Sequence, residues 1–391
     1  MDLSKRNFMK GVGLLGAAGA FAAVSSASGQ EFTAGAHNSS VFNVKDFGAK
    51  GDGQTPDSDA IQKALDAAGK ANGTAYFPSG NYRCHDLKVH SNMTVLAEPQ
   101  WDYRAGYGAV LSIDSEEADC VLNISETKGC RIYGVALRGN RRATKKQHGI
   151  FMNHPNEFTS RENCPVIDDV RVYGFSGHGI YLNRIWLFLL RHSMIQSCGG
   201  HGICIYGWDG FVLDNQFAAN GGSGFGAETE ATMIKFTGNR VEWNRRYGLE
   251  LDSGTRAWGM NSWNVVGNNF DHNGGAGVHI NNVNNSTFTG NVFRRNGDNA
   301  TALFEGAEET CHMIMRRCRG VTVTGNAGGA GRNDRQEGPV KPNYGFWLQG
   351  NECCTVGFNT FARGYVRDLK VDKGGHADDF IFQFNVGSQF G

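Results

Sequence analysis

Gly179-Ile180-Tyr181-Leu182-Asn183 and, one period later, Gly202-Ile203-Cys204-Ile205-Tyr206 decide how this chain folds. The block of glycine and a short apolar run also occurs as Gly149-Ile150-Phe151-Met152, Gly224-Phe225-Gly226-Ala227, Gly248-Leu249-Glu250-Leu251 and Gly277-Val278-His279-Ile280, at intervals of 22 to 30 residues. A strand-like core at a steady period marks a solenoid, in which each repeat buries its apolar face only against its neighbours. Residues at equivalent places in successive coils must then stack, so an outer face can be read as columns.

A second register runs through Asn215 to Asn220, Asn239 to Asn244, Asn268 to Asn273 and Asn291 to Asn296, each opening and closing on asparagine. Asparagine tolerates the left-handed turn conformation and can hydrogen-bond from coil to coil, so these residues read as scaffold. Each coil is expected to hold three short strands, from about residue 85 to 385. Longer coils at 249–277 and 300–345 predict protruding loops, the clearest from Gly328 to Asn343.

The 391 residues include 55 Gly but only 7 Pro, which suits many tight turns and neither collagen nor a disordered chain. Lys plus Arg equals Asp plus Glu at 38 each, so no net field draws the chain to nucleic acid or a membrane surface. Ser4-Lys5-Arg6-Asn7-Phe8-Met9-Lys10, an apolar run from Gly11 to Val24 and small residues Ser25-Ser26-Ala27-Ser28 read as an export signal over 1–28. It resembles a bacterial twin-arginine signal with Lys in place of the first Arg; an ordinary secretory signal is the alternative. The expected protein is exported, periplasmic or extracellular, with no membrane span once the signal is removed. A linker is expected over 29–40 and a single domain over 41–391. The 10 Cys lie mostly in or beside strands without a C-x-x-C pair, which predicts packed free thiols and no zinc site.

Residues 42–96 carry Asp46-Phe47-Gly48-Ala49-Lys50-Gly51-Asp52-Gly53, a short helix beginning at Asp57 or Ser58, and Tyr76-Phe77-Pro78-Ser79-Gly80-Asn81-Tyr82. This stretch resembles the N-terminal end of the pectate-lyase-like right-handed parallel β-helix superfamily. The resemblance implies an all-β, right-handed parallel β-helix with a short capping helix, the cap covering 41–83. It makes Asp46, Asp52 and Asp57 turn and cap residues, and it implies a carbohydrate substrate. A looser similarity is to inulin fructotransferase. Trimers are common among such rods, so a homotrimer is the assembly to test.

Strand alternation sends Ile180, Leu182, Ile203, Ile205, Phe225, Ala227, Leu249, Leu251, Val278 and Ile280 inward. The outward positions form one column of Phe151, Tyr181, Cys204, Gly226, Glu250 and His279, and another of Asn153, Asn183, Tyr206, Glu228, Asp252 and Asn281. Glu228, Glu250 and Asp252 are therefore the expected catalytic carboxylates. Like charges at that spacing raise one another's pKa, as a general acid requires, and paired carboxylates are what glycosidic hydrolysis needs. Glu242, outward in the second register beside Asp271 and Arg294, is a further catalytic candidate. Tyr181, Arg184, Tyr206, Trp208, Asp209, Glu230, Arg256, Trp258 and His279 are expected to hold substrate. His148, His178 and His201 share the position before the repeat glycine and read as a turn ladder. No cofactor is expected for a hydrolase; a lyase would place Ca²⁺ among the carboxylates. A fructotransferase-like enzyme and a non-catalytic glycan-binding surface protein are the remaining alternatives.

Overall fold

The computed structural model describes residues 40–100, 107–154, 162–297, 310–332, 339–340, 342–361, 367–371 and 376–387; the expected export signal and nearly all of the linker lie outside them. From residue 39 onward the chain forms one unit. Its strands make a 22-stranded and a 12-stranded sheet, with nearly every pairing parallel and between successive coils. Three faces result. The first face holds the glycine-led strands, the second follows around a bend in the same sheet, and the third is the 12-stranded sheet. First and second faces merge because Ile180–Arg191 and Ile203–Leu213 run through the bend as single strands.

The expected inward residues are buried, and the core runs through the centre of the coils. Phe236, Phe270 and Phe293 continue it as a stack, with ring centres 6.3 and 5.3 Å apart. The helix Ser58–Lys70 buries Ile61, Ala64, Leu65 and Ala68 against this core. Asp57 precedes the helix but makes no side-chain cap; its carboxylate instead accepts the Lys50 and Gly51 amides at 2.6 and 3.0 Å. Asp52 likewise accepts the Gln54 and Thr55 amides, which hold its pKa down at about 2. These two aspartates are turn residues, as the resemblance implied.

Two asparagine ladders pin the corners of the third face. One runs Asn215, Asn239, Asn268, Asn291, Asn326, Asn359, Asn385 and the other Asn220, Asn244, Asn273, Asn296, each amide donating to the next at about 3 Å. Each Asn shown as a donor also donates to a carbonyl of a strand on the preceding coil, as Asn239 does to Val212. The left-handed bend falls on the residue before the asparagine, not on the asparagine itself: Asp214, Gly238, Gly267, Gly290 and Gly325 in the first ladder, Ala219, Trp243, His272 and Arg295 in the second. The amide has to point inward to bridge coils, so the neighbour takes the strained conformation.

None of the ten cysteines is in a disulfide, and of the ten Cys353 alone is exposed. The Gly328–Asn343 excursion starts later than expected, because Ala327–Gly329 still pairs in the third face. Beyond it Gly331–Arg332 and Pro339–Val340 form an antiparallel pair. Among the described residues, no helix is long and apolar enough to cross a membrane.

Candidate active site

The first outward column stands in register as Phe151, Tyr181, Cys204, Gly226, Glu250, His279, and continues to Ile314 and Trp347. The second is interrupted. Ile205 pairs with Ala227 but Gly207 pairs with Ala231, so Glu228, Thr229 and Glu230 all stand opposite Tyr206. Such a bulge re-aims side chains, and here Tyr206 donates its hydroxyl to Glu230 at 3.3 Å. Below the bulge the column resumes as Glu228, Asp252, Asn281, Arg316, Gln349.

Glu250 and Asp252 share one strand, Leu249–Asp252, and both point outward. Glu250 accepts from Ser223 at 2.5 Å and from Arg246 at 2.9 Å, one donor on each oxygen. Asp252 Oδ1 accepts the Gly254 amide at 2.8 Å and Asn281 at 2.7 Å. Arg317 in turn donates to Asn281 Oδ1 at 2.8 Å. Glu228 is backbone-paired with Asp252, which puts its Cα on the adjacent coil; its side chain is outside the described set. Ca²⁺ takes six to eight oxygen ligands. Both Glu250 oxygens and Asp252 Oδ1 are already committed to N–H or O–H donors, so a Ca²⁺ ion would have to displace those donors to use these oxygens.

Glu242 does not join this group. It lies on Arg240–Glu242 in the third face and is 1% exposed. Gln216 and Arg240 hold it at 2.7 and 2.8 Å, while burial pushes its pKa up. Its column neighbour Asp271 pairs through Arg295, not the exposed Arg294 beside it in register.

Around the bulge, Arg256 bonds Glu230 at 3.0 Å. Arg184 lies 5.9 Å from the Tyr206 ring centre and donates to the His154 carbonyl. Trp258 is 85% exposed, on a turn held by Asn282 and Asn284 through the Arg256 and Trp258 carbonyls. Trp208 and Asp209 instead pack their own corner: Trp186 donates to Asp209 at 2.8 Å and meets Trp208 edge-on.

Upstream, Tyr181 is stacked with His148, Phe151 and His178 at 5.3 to 5.7 Å. His148, His178 and His201 form the expected ladder. Each Nδ1 accepts the backbone amide of the next coil, from His178, His201 and Ser223 at 3.1, 2.9 and 2.9 Å. His178, His201 and Cys204 bring ligand atoms within 4.8 Å of one another. Yet the two rings lie parallel at 5.1 Å, whereas two nitrogens on one tetrahedral zinc sit about 3.4 Å apart. Stacking, not chelation, accounts for this trio.

Downstream the same face changes character. Tyr247, Ala276, Cys311, Ile314 and Trp347 form an apolar cluster separate from the core. His279 borders it, 5% exposed, with its ring stacked on Tyr247 at 4.6 Å. Neither ring nitrogen has a hydrogen-bond partner among the described residues. Burial lowers its pKa to about 4; Asp252 opposes this, and Arg316 and Arg246 reinforce it. Arg316 lies 4.0 Å from the Trp347 ring centre. Tyr247, Arg246, Arg316 and Trp347 were not among the residues read as a site. A signal existed: Tyr247 precedes Gly248 as His178 precedes Gly179, so the pre-glycine column was already marked.

A family profile described as a right-handed beta helix region matches residues 148–361, and one described as rhamnogalacturonase A/epimerase, pectate lyase-like, matches 41–101. Alginate lyase 7 of Azotobacter vinelandii is 31% identical over 216 residues, 49% of this chain and 24% of that protein. The chain thus spans about a quarter of that relative's length. The A-module of the Azotobacter vinelandii mannuronan C-5 epimerase AlgE6 superposes with a TM-score of 0.64 at 20% identity, covering 89% of this chain and all of that one. DFA-IIIase of Arthrobacter chlorophenolicus A6 gives 0.60 at 14% identity, over 87% and 93% of the two chains, so the fructotransferase similarity extends to the fold.

Proposed function

Because this chain belongs to the right-handed β-helix family, we propose that it is an exported carbohydrate-active enzyme that cleaves or remodels an acidic polysaccharide laid along its first face. The fold hosts many functions, so the site has to carry the reading. The observation that carries it is the alternation of carboxylates and guanidinium groups over neighbouring coils: Glu230 with Arg256, Glu250 with Arg246, then Arg316 beside Trp347. Guanidinium forks recognise sugar carboxylates bidentately, and exposed aromatics such as Trp258 stack on sugar rings.

The reaction classes named for the alginate lyase and the mannuronan C5-epimerase both suit such a substrate. Either chemistry begins by removing the proton on the carbon next to a uronate carboxylate. Both oxygens of Glu250 accept hydrogen bonds, from Ser223 and Arg246, which suits a carboxylate that orients its neighbours better than a general acid. Hydrolysis is the second reading, favoured by the pairing of Glu250 and Asp252 on one strand.

The test is purified protein on alginate, polygalacturonate and neutral glucans, with and without chelator. Ultraviolet absorbance from an unsaturated sugar, or solvent deuterium entering the ring carbon, supports the reading. New reducing ends without either signal transfers it to hydrolysis. Silence on every acidic polymer overturns it in favour of glycan binding alone. Light scattering on the same sample tests the homotrimer.

A further inference from the structure

His279 and the ladder histidines sit on the same face, yet among the described residues the ladder histidines are hydrogen-bonded and His279 is not. A neutral imidazole always carries one N–H and one lone pair. His148, His178 and His201 use the lone pair of Nδ1 to accept a backbone amide. In His279 both nitrogens are buried and have no hydrogen-bond partner among the described residues, an arrangement that folded proteins seldom keep without a functional reason. Its column neighbour is Glu250, and the charges that act on it are Asp252, Arg316 and Arg246.

Of the groups beside Glu250 and His279, Arg246 is the one open to an incoming ligand. Its guanidinium lies 5.6 Å from the ring centre of Tyr247, the residue stacked on His279, and it holds Glu250 from an exposed position. A sugar carboxylate competes directly with Glu250 for that fork. On the reading above, we propose that His279 is the proton-transfer residue of this face, reached when Arg246 exchanges Glu250 for the carboxylate of an acidic sugar.

The exchange leaves Arg246 paired but adds the sugar's negative charge and frees Glu250, the column neighbour of His279, so that Glu250 and Asp252 both stabilise the imidazolium. The ring nitrogen takes the proton from the carbon beside the sugar carboxylate, and the C–H electron pair passes into that carboxylate group. For cleavage, the pair then forms the C4–C5 double bond as the C4–O bond breaks, and the leaving oxygen takes the same proton from the imidazolium. For epimerisation, a water on the opposite side of the ring gives the carbon a proton, and the imidazolium passes its own proton to the hydroxide left behind. Either way the enzyme ends as it began.

The experiment compares His279→Gln, His279→Ala and Arg246→Gln with the unaltered protein, using alginate oligomers if alginate is turned over and the acidic polymer that is turned over otherwise. Turnover, calorimetric binding and thermal unfolding are measured for each. His279→Gln is expected to bind within about twofold of the unaltered protein and to lose about 10²-fold or more in kcat. Added imidazole should restore part of the activity of His279→Ala, which a packing role would not allow. Arg246→Gln should raise KM by about tenfold or more with folding intact, which keeps the test valid if the His279 variants unfold. Turnover by folded His279→Gln within about threefold of the parent overturns this role and leaves the functional reading standing. An unaltered protein silent on every acidic polymer overturns both.

Discussion

Two stretches of one outer face, built on the same register, differ in whether their stacked histidines are hydrogen-bonded. Upstream, His148, His178 and His201 stack coil on coil, and each Nδ1 meets the backbone amide of the next coil. Downstream, His279 stacks just as closely on Tyr247, but neither of its nitrogens has a hydrogen-bond partner among the described residues. Residue type and stacking therefore do not separate scaffold from site in a solenoid. Hydrogen-bond closure does, because a closed ladder has nothing left to offer a ligand.

The sharpest way to break the comparison is to exchange effects between the two stretches. His279→Gln should cut turnover by about 10²- to 10⁴-fold with little change in unfolding temperature. His178→Leu should do the reverse, leaving the His201 amide without its acceptor at a cost of about 1–3 kcal/mol while kcat is unchanged. Steady-state kinetics and thermal melts on both proteins check this, and equal loss of activity in the two would dissolve the distinction.

Asn268→Ala tests the scaffold at its strongest point. Asn268 donates to Phe236 and Asn291 and accepts from Asn239, so truncation should cost about 2–4 kcal/mol. Denaturant unfolding reads that loss, and activity below the melt should be untouched.

Acid should weaken both stretches. His148 is held down to about 4 by burial, as is His279. A base whose folded pKa is depressed stays neutral in the native state while the unfolded chain takes up protons. Stability is thus fully present above about pH 6.5 and declines as the pH falls toward 4. Melting temperature against pH should show that slope, and His148→Gln should flatten it.

The smallest effect is expected at the rim. Arg256→Ala breaks an exposed pair with Glu230 worth about 0.2–1 kcal/mol. Stability should barely move, and the weakened contact should appear as a modest rise in KM measured on the same polymer.

Much of this molecule was legible before its structure. The period of the glycine-led blocks, the inward apolar set and the column of Tyr181, Cys204, Glu250 and His279 all follow from alternation along strands that stack coil on coil. The asparagine ladders were readable too, although the left-handed bend lies one residue earlier than expected. Glu242 was less transparent. In sequence it leads toward the Glu250 strand, but a corner at Asn244 separates the two faces, and the structure buries Glu242 against Gln216 and Arg240. Glu228 and Glu230 were read as site residues, but the bulge that sets them and Thr229 opposite Tyr206 was invisible, because a register shift depends on how two strands pair and leaves no mark on either one.

The sequence by itself determined the solenoid, the faces and the stacking order, because these depend only on spacing and on the twofold alternation of side chains. Tertiary structure decided which stacked groups are closed and which are open. His178 stands before a repeat glycine and His279 two places after one, which marks the ladder, but nothing in their local sequence says whether the nitrogens of His279 will find a partner. That depends on where the backbone amide of the next coil falls, some 23 residues away for His178, and only the folded path of the corners puts it within reach.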